Sequence, residues 1–286
     1  MHLGFSTMNT HKNIQPFELA QLLEERGYES LWFGEHSQIP TSRNSPHPRE
    51  AELPEPYKSM MDPYISLTAA ATATTKLKLG TSISLLLERE LFSQAKTIMT
   101  LDRISNGRVL IGTGVGWNEE QFNNATNLPW KRRFSAMREM VAATRTLWTD
   151  EEPEFHGDII NFDPVWCDPK PIQRPGPPIL YGGVGPLGIK HTVEWADGWM
   201  PVSASLDDLP KAITDFRQLL TEAGRNPDDV DISLIVMEKP ALDRMKFFRD
   251  LGINRAIVGG AHENWDNPDK LRSLIDLLAE WIPEIT

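Results

Sequence analysis

Short apolar runs alternate with longer amphipathic stretches along nearly the whole chain, and the alternation predicts eight strand–helix units. The strands are read at residues 3–6, 31–33, 77–85, 108–111, 179–181, 198–202, 230–236 and 255–258. Helical periodicity falls at 16–26, 63–75, 91–104, 131–148, 187–195, 209–223, 242–251 and 268–281. In the first of these, Phe17, Leu19, Ala20, Leu22 and Leu23 share one side and Gly27 is the stop. The second has Asp62 as its N-cap and Pro63 at the first helical position, where the missing N–H costs nothing.

Strand and helix alternating at this spacing imply a parallel sheet with right-handed crossovers. Eight units, with no second domain's worth of remainder, favour a closed α/β barrel, the (β/α)8 or TIM barrel, over an open doubly wound sheet. The expectation is one domain over residues 1–286. Two stretches break the rhythm. Residues 37–62 are rich in Pro, Ser and charge and read as an insertion after strand 2, lying over the barrel mouth as a lid or wall. Residues 151–177 read as a second insertion before strand 5: a hairpin at 155–160, then a run with six prolines between Pro164 and Pro178.

Composition narrows the classes of function. Hydrophobic residues are 40% and charged residues 24%, ordinary for a globular protein. The formal net charge of −11 argues against nucleic acid or an anionic membrane as the main partner. No run approaches the roughly 18 apolar residues of a membrane span. A strand starts at His2 with no basic-then-apolar signal before it, and Cys167 is the lone cysteine. The expectation is a cytoplasmic protein without a disulfide or a cysteine zinc site.

In a barrel of this kind the chemistry sits on the loops after the strands. After strand 4, Gly112, Gly114 and Gly116 alternate and open into Asn118-Glu119-Glu120, a good N-cap followed by acids that suit a helix start. This is either a ligand-facing backbone or a tight strand-to-helix turn. After strand 2 comes Gly34-Glu35-His36, a carboxylate and an imidazole able to hydrogen-bond, transfer a proton or form a structural pair. A metal site is not expected, because strand 1 ends in Ser6-Thr7-Met8 without His-x-His. Gly80-Thr81-Ser82-Ile83-Ser84 places Ser82 toward a ligand in the barrel, or simply alternates the two faces of strand 3. After strand 5, Gly183, Gly185 and Gly188 match G-x-G-x-x-G. The dinucleotide reading fails, since the motif sits late in an eight-unit chain. What survives is an anion site of glycine amides and a helix N-terminus, preferred here over a plain glycine turn. Barrel phosphate sites more often follow strands 7 and 8.

With these strand ends together, the chain resembles the luciferase-like monooxygenase superfamily, in its coenzyme F420-dependent oxidoreductase branch. The resemblance covers most of the chain. It is carried by Leu31-Trp32-Phe33-Gly34-Glu35-His36, Asp62-Pro63, Leu79-Gly80-Thr81-Ser82-Ile83, Leu101 through Arg108, and Gly112 through Glu120. Pro169-Lys170-Pro171, Pro177-Pro178-Ile179 and Ala196-Asp197-Gly198-Trp199 add to it. The resemblance implies a TIM barrel binding coenzyme F420, or FMN, at the carboxyl ends of its strands. His36 would lie near the deazaflavin ring with Glu35 beside it, orienting the imidazole or raising its pKa. Ser82-Ile83 would match the family's non-proline cis peptide behind the ring. Thr113, Gly114 and Asn118 would line the ring and its ribityl chain, and Gly182, Gly183, Val184 and Gly185 would hold the phosphate.

Two departures bear on mechanism. Some deazaflavin dehydrogenases carry a catalytic Glu directly after Gly-Thr-Gly, where this chain has Val115. Leu87-Glu88-Arg89-Glu90-Leu91 lacks a proline common there. The expected function is hydride transfer between F420 and a small organic substrate, with His36 as proton donor or acceptor. The alternatives are an FMN-dependent monooxygenase fed by a separate reductase, and a non-catalytic coenzyme-binding protein. Lys131, Arg132 and Arg133, with Arg43, Arg49 and Lys58 in the lid, would meet the coenzyme's polyglutamate tail or be ordinary solvated charge. A homodimer is expected on family grounds.

Overall fold

The structure is a computed structural model, and it describes residues 1–48, 52–259 and 266–286. Eight parallel strands close into a barrel: β1 (His2–Thr7), β2 (Ser30–Phe33), β3 (Lys78–Ser84), β4 (Val109–Thr113), β7 (Ile179–Tyr181), β8 (Gly198–Trp199), β9 (Asp231–Val236) and β10 (Arg255–Gly259). β1 pairs in parallel with both β2 and β10, which closes the ring. The helices outside it are α1 (Pro16–Glu25), α2 (Pro63–Ala73), α3 (Leu91–Ile104), α4 (Glu119–Ala125), α5 (Arg133–Thr149), α6 (Pro186–Trp195), α7 (Leu209–Glu222), α8 (Leu242–Asp250), α9 (Pro268–Ala279) and α10 (Ile282–Ile285). The hairpin of β5 (Phe155–His156) and β6 (Asn161–Phe162) stands apart from the barrel. Among the described residues, no helix is long and apolar enough to cross a membrane.

Local signals in the chain start the helices where expected. Asp62 Oδ1 accepts from the Ile65 N–H at 3.0 Å, and Asn118 Oδ1 accepts from the Gln121 N–H at 2.9 Å. Each satisfies one of the N–H groups that a helix start leaves without an intrahelical partner. The strand expected over 198–202 is shorter, because Pro201 has no N–H to continue a ladder. Its carbonyl still accepts from the Ile235 N–H at 2.9 Å, and Val202 forms a single bridge to Ile235.

Two apolar layers result. The larger packs the barrel's outer face against the helices; the smaller fills its interior with Trp32, Leu110, Leu180, Met200 and Ile257, capped by Ile83 and Ile235. Trp32 is fully buried, and a Cβ on Gly80 would lie 2.1 Å from its ring. Only glycine leaves room for that indole. At the amino ends of the strands, buried Arg255 is held by Glu29, Asp231 and Ser233. That end of the barrel is an ion-paired structural floor, which leaves the carboxyl end for chemistry.

Both insertions are tied down. Asp102 of α3 is fully buried and accepts from the Ile172 and Gln173 N–H groups, fixing the proline-rich segment. The first insertion rests on Glu120 of α4, whose carboxylate accepts from the Ser42 hydroxyl, the Asn44 amide and the Ser45 N–H. Arg49, expected in this lid, lies outside the described residues.

Candidate active site

A cavity of about 490 Å³ opens at the carboxyl ends of the strands. That volume lies within the roughly 300–1,000 Å³ of small-molecule and cofactor sites. Its floor includes Ile83, Met200 and Ile257, the upper members of the barrel-interior layer. His36 follows β2 on one wall, and His47, Tyr57 and Met60 from the first insertion form the roof with Trp117.

The peptide bond between Ser82 and Ile83 is cis, at a register shift between β3 and β4. The Ser82 and Ser6 hydroxyls are 3.1 Å apart, the Ile83 side chain lies against Gly114 and Gly182, and Gly34 faces the Ser82 carbonyl. A Cβ on Gly182 would sit 3.5 Å from Ile83 Cγ2, and one on Gly34 would sit 3.2 Å from the Ser82 carbonyl oxygen. Bare backbone on both sides of an apolar side chain makes a shelf that accepts a flat ring. Thr7 lines the same cavity, and its Oγ1 is buried without a hydrogen-bond partner among the described residues. A buried hydroxyl left unpaired is costly, so it is a natural contact for a polar ring edge. The shelf and this hydroxyl fit a flavin-like coenzyme.

His36 is half-buried, with Nδ1 2.6 Å from Gln121 Oε1. Its ring packs with Tyr57 and Trp117 at centroid distances of 5.2 and 5.8 Å, and His47 contacts the same two rings. Burial pushes the His36 pKa below the ordinary imidazole value; the Gln121 hydrogen bond opposes this and any charge on His47 adds to it. The imidazole is therefore neutral near neutral pH.

Glu35 does something other than expected. Its buried carboxylate accepts from the Ser84 hydroxyl at 2.7 Å, the Leu85 N–H at 2.8 Å and the Arg89 guanidinium. Arg89 also reaches Asp62, the cap of α2. Glu35 thus ties β2, the end of β3 and α2 together and makes no hydrogen bond to His36. The expected raising of the His36 pKa by Glu35 is replaced by its lowering through burial.

Comparison with known proteins bears on what this cavity is for. A family model described as luciferase-like monooxygenase matches residues 7–239. The chain belongs to the luciferase-like monooxygenase family. An uncharacterised Mycobacterium tuberculosis protein is 34% identical over 268 residues, covering 91% of this chain and 92% of that one. A Pseudomonas putida FMNH2-dependent dimethylsulfone monooxygenase is 29% identical over 126 residues, covering 43% of this chain and 34% of its own. An F420-dependent secondary alcohol dehydrogenase, solved with an F420–acetone adduct, superposes with a TM-score of 0.77 at 19% identity, over 100% of this chain and 99% of that one. The protein is accordingly a luciferase-like oxidoreductase with a (β/α)8 barrel.

The other residues singled out in this luciferase-like chain are placed variously. Thr113 is fully buried, and its hydroxyl donates to the Ser84 carbonyl at 2.9 Å, so it braces the cis-peptide turn from behind. Gly114 leaves room for Ile83, whose Cδ1 would be 2.8 Å from a Cβ there. Asn118 caps α4 with Oδ1, while its buried Nδ2 has no partner among the described residues. Gly182 lines the cavity; Gly183, Val184 and Gly185 run on from it toward α6. Gly183 and Gly188 face each other so closely that a Cβ on either would come within 2.6 Å of the other's Cα. Those two glycines are explained by packing α6 onto β7. Gly185, the N-cap of α6, has nothing within 4 Å of a Cβ and is the open member of the motif.

Lys131 and Arg132 are exposed, Arg133 stacks over the Trp130 ring at 3.9 Å, and Lys58 pairs with Glu55. Among the described residues, no group of three or more His, Cys, Asp or Glu side chains is placed to hold a metal ion. Sequence reasoning passed over His47, Tyr57, Trp117, Glu88 and Gln121 as parts of the His36 surroundings. Trp117 carried a signal, following directly on the glycine ladder; the others carried none.

Proposed function

We propose that this protein is a coenzyme F420-dependent oxidoreductase acting on a small organic substrate, with His36 handling the proton that accompanies hydride transfer. The observation that carries the reading is the His36 imidazole, bonded through Nδ1 to Gln121, on the wall of a cavity floored by the Ser82–Ile83 shelf. The coenzyme, when bound, supplies a two-electron hydride donor or acceptor. Ile83 and the bared backbone at Gly34 and Gly182 would hold one ring face, and the Thr7 hydroxyl is available to a polar edge. Gly182 to Gly185 and the start of α6 would hold the phosphate, since the amides at a helix start and the helix dipole favour an anion there. The Gly182 N–H itself is donated to the Thr113 carbonyl at 2.8 Å, so Gly183 to Gly185 would supply the donors. His36 Nε2, which has no partner among the described residues, takes up the substrate's proton on oxidation and returns it on reduction. Tyr57, Trp117 and His47 exclude water above it.

The deciding experiment is titration of the purified protein with F420 and with FMN, followed by fluorescence quenching. Saturable binding of F420, tighter than that of FMN, is expected. Binding of FMN alone would overturn the coenzyme assignment and favour an oxygen-using monooxygenase. Binding of F420 without turnover of any alcohol or enone would leave a carrier protein instead.

A further inference from the structure

His36 does not hydrogen-bond its chain neighbour Glu35, yet it is held by a carboxylate at one remove. Gln121 sits in the first turn of α4 and is fully buried. Its main chain is fixed at both ends of the peptide: the N–H donates to Asn118 Oδ1 at 2.9 Å, and the carbonyl accepts from Gln38 Nε2 at 3.0 Å. Its side-chain amide bridges two groups. Nε2 donates to Glu88 Oε2 at 2.7 Å, and Oε1 lies 2.6 Å from His36 Nδ1. Glu88 ends a single 3-10 turn, Leu86–Glu88, that begins one residue after the Leu85 N–H held by Glu35.

We propose that Glu88, acting through Gln121, selects the tautomer of His36 and so makes Nε2 the proton-accepting atom in the cavity. The reasoning is a matter of donors and acceptors. An ionised carboxylate only accepts, so the Gln121 amide nitrogen must face Glu88 and its oxygen must face His36. A carbonyl oxygen only accepts, so Nδ1 must carry the proton. A neutral imidazole has one N–H, which leaves the lone pair on Nε2. Without a fixed acceptor at Glu88 the buried amide is free to turn over, present N–H to Nδ1, and leave the proton on Nε2. Glu88 is thus a positioning residue, and Gln121 is its lever.

The inference rests on the proposed role of His36, but its test does not depend on turnover. The protein is labelled with 15N-histidine and its imidazole tautomers are read by two-bond 1H–15N correlation in alkaline buffer, where Glu88 is ionised. The His36 signals are assigned by their loss in His36→Asn. The wild type is expected to show a protonated Nδ1 and an unprotonated Nε2. In Glu88→Gln the pattern should become mixed or inverted, because a carboxamide can donate as well as accept. The double variant Glu88→Gln/Gln121→Glu moves the carboxylate next to His36 and should restore the protonated Nδ1. With substrate, kcat should fall about tenfold in Glu88→Gln and recover in the double variant, with coenzyme affinity unchanged throughout. A wild type protonated on Nε2, a Glu88→Gln spectrum identical to wild type, or no restoration in the double variant would overturn the proposal. Failure of His36→Ala to slow turnover would instead remove the catalytic reading and leave the tautomer assignment standing.

Discussion

Glu35 and His36 are adjacent in the chain and belong to different networks: the carboxylate binds Ser84, Leu85 and Arg89, while the imidazole binds Gln121. Consecutive residues at a strand end point in opposite directions, so although both border the cavity, the Glu35 carboxylate turns to Ser84, Leu85 and Arg89 and the His36 imidazole to Gln121. Glu35 has a structural role, and the chemical role proposed above falls to its neighbour.

Replacing His36 with Ala should therefore lower kcat by about 10²–10⁴-fold, the usual contribution of a positioned acid or base. Coenzyme affinity, read by fluorescence quenching, should change little. Turnover equal to wild type would remove His36 from the reaction.

Glu35→Ala should act on stability instead. It strips Arg89 of a buried partner and leaves the Leu85 N–H and the Ser84 hydroxyl without an acceptor. Arg89 keeps Asp62 and a quarter of its side-chain exposure, which places the loss near the lower end of the about 3–5 kcal/mol for breaking a buried pair. The shift of the urea midpoint measures it, and a loss under about 1 kcal/mol would mean the network is dispensable.

Glu88 predicts a pH dependence. Burial pushes its carboxyl from the usual 4.5 up to about 7, against the pull of the Gln121 hydrogen bond and with help from the Glu35 charge. Between those two values the folded chain keeps a proton that the unfolded chain has released, so stability falls as pH rises through that window. Glu88→Gln abolishes the ionisation. Its Tm should equal that of wild type at the acid end of the window and exceed it above the alkaline end. Parallel Tm curves for the two proteins would contradict the assignment.

The glycine run after β7 separates packing from anion binding. Gly188→Ala puts a methyl group 2.6 Å from Gly183 Cα and should cost about 1–3 kcal/mol as an overpacked contact. Gly185→Asp meets no such obstacle and supplies a good N-cap, so stability should move by only a few tenths of a kcal/mol. The added carboxylate should weaken coenzyme binding about tenfold or more if a phosphate lies there, by like-charge repulsion. Unchanged affinity would move the phosphate elsewhere.

The barrel is legible in the sequence because a buried parallel strand and an amphipathic helix leave different periods and alternate, around eight barrel strands; the short α4 and α10 are additions that the periodicity does not show. The position of His36 is legible for a related reason: it stands three residues beyond the apolar run Leu31-Trp32-Phe33, at a strand end, and it lines the cavity there. Its surroundings are not. Gln121 lies 85 positions away, Glu35 meets Arg89 across 54, and His47 and Tyr57 come from an insertion without periodicity. The match of Gly183, Gly185 and Gly188 to a phosphate motif mixes two causes that spacing cannot separate. Two of those glycines admit a close helix, and one leaves a helix start open.

The cavity's two boundaries differ in how they are built. Trp32, Met200 and Ile83 form a base in which distances near 2–3 Å leave no alternative side chains at the glycines beneath and beside them. The roof is tied down at its edges, by the Glu120 carboxylate, by Gln38 on the Gln121 carbonyl and by a bridge between Thr10 and Met60, and the residues it carries meet ligand space instead of core. Selection can rewrite His47, Tyr57 or Met60 to suit a new molecule without disturbing the ring shelf or the barrel. Coenzyme choice and substrate choice are therefore free to evolve at different rates in this architecture.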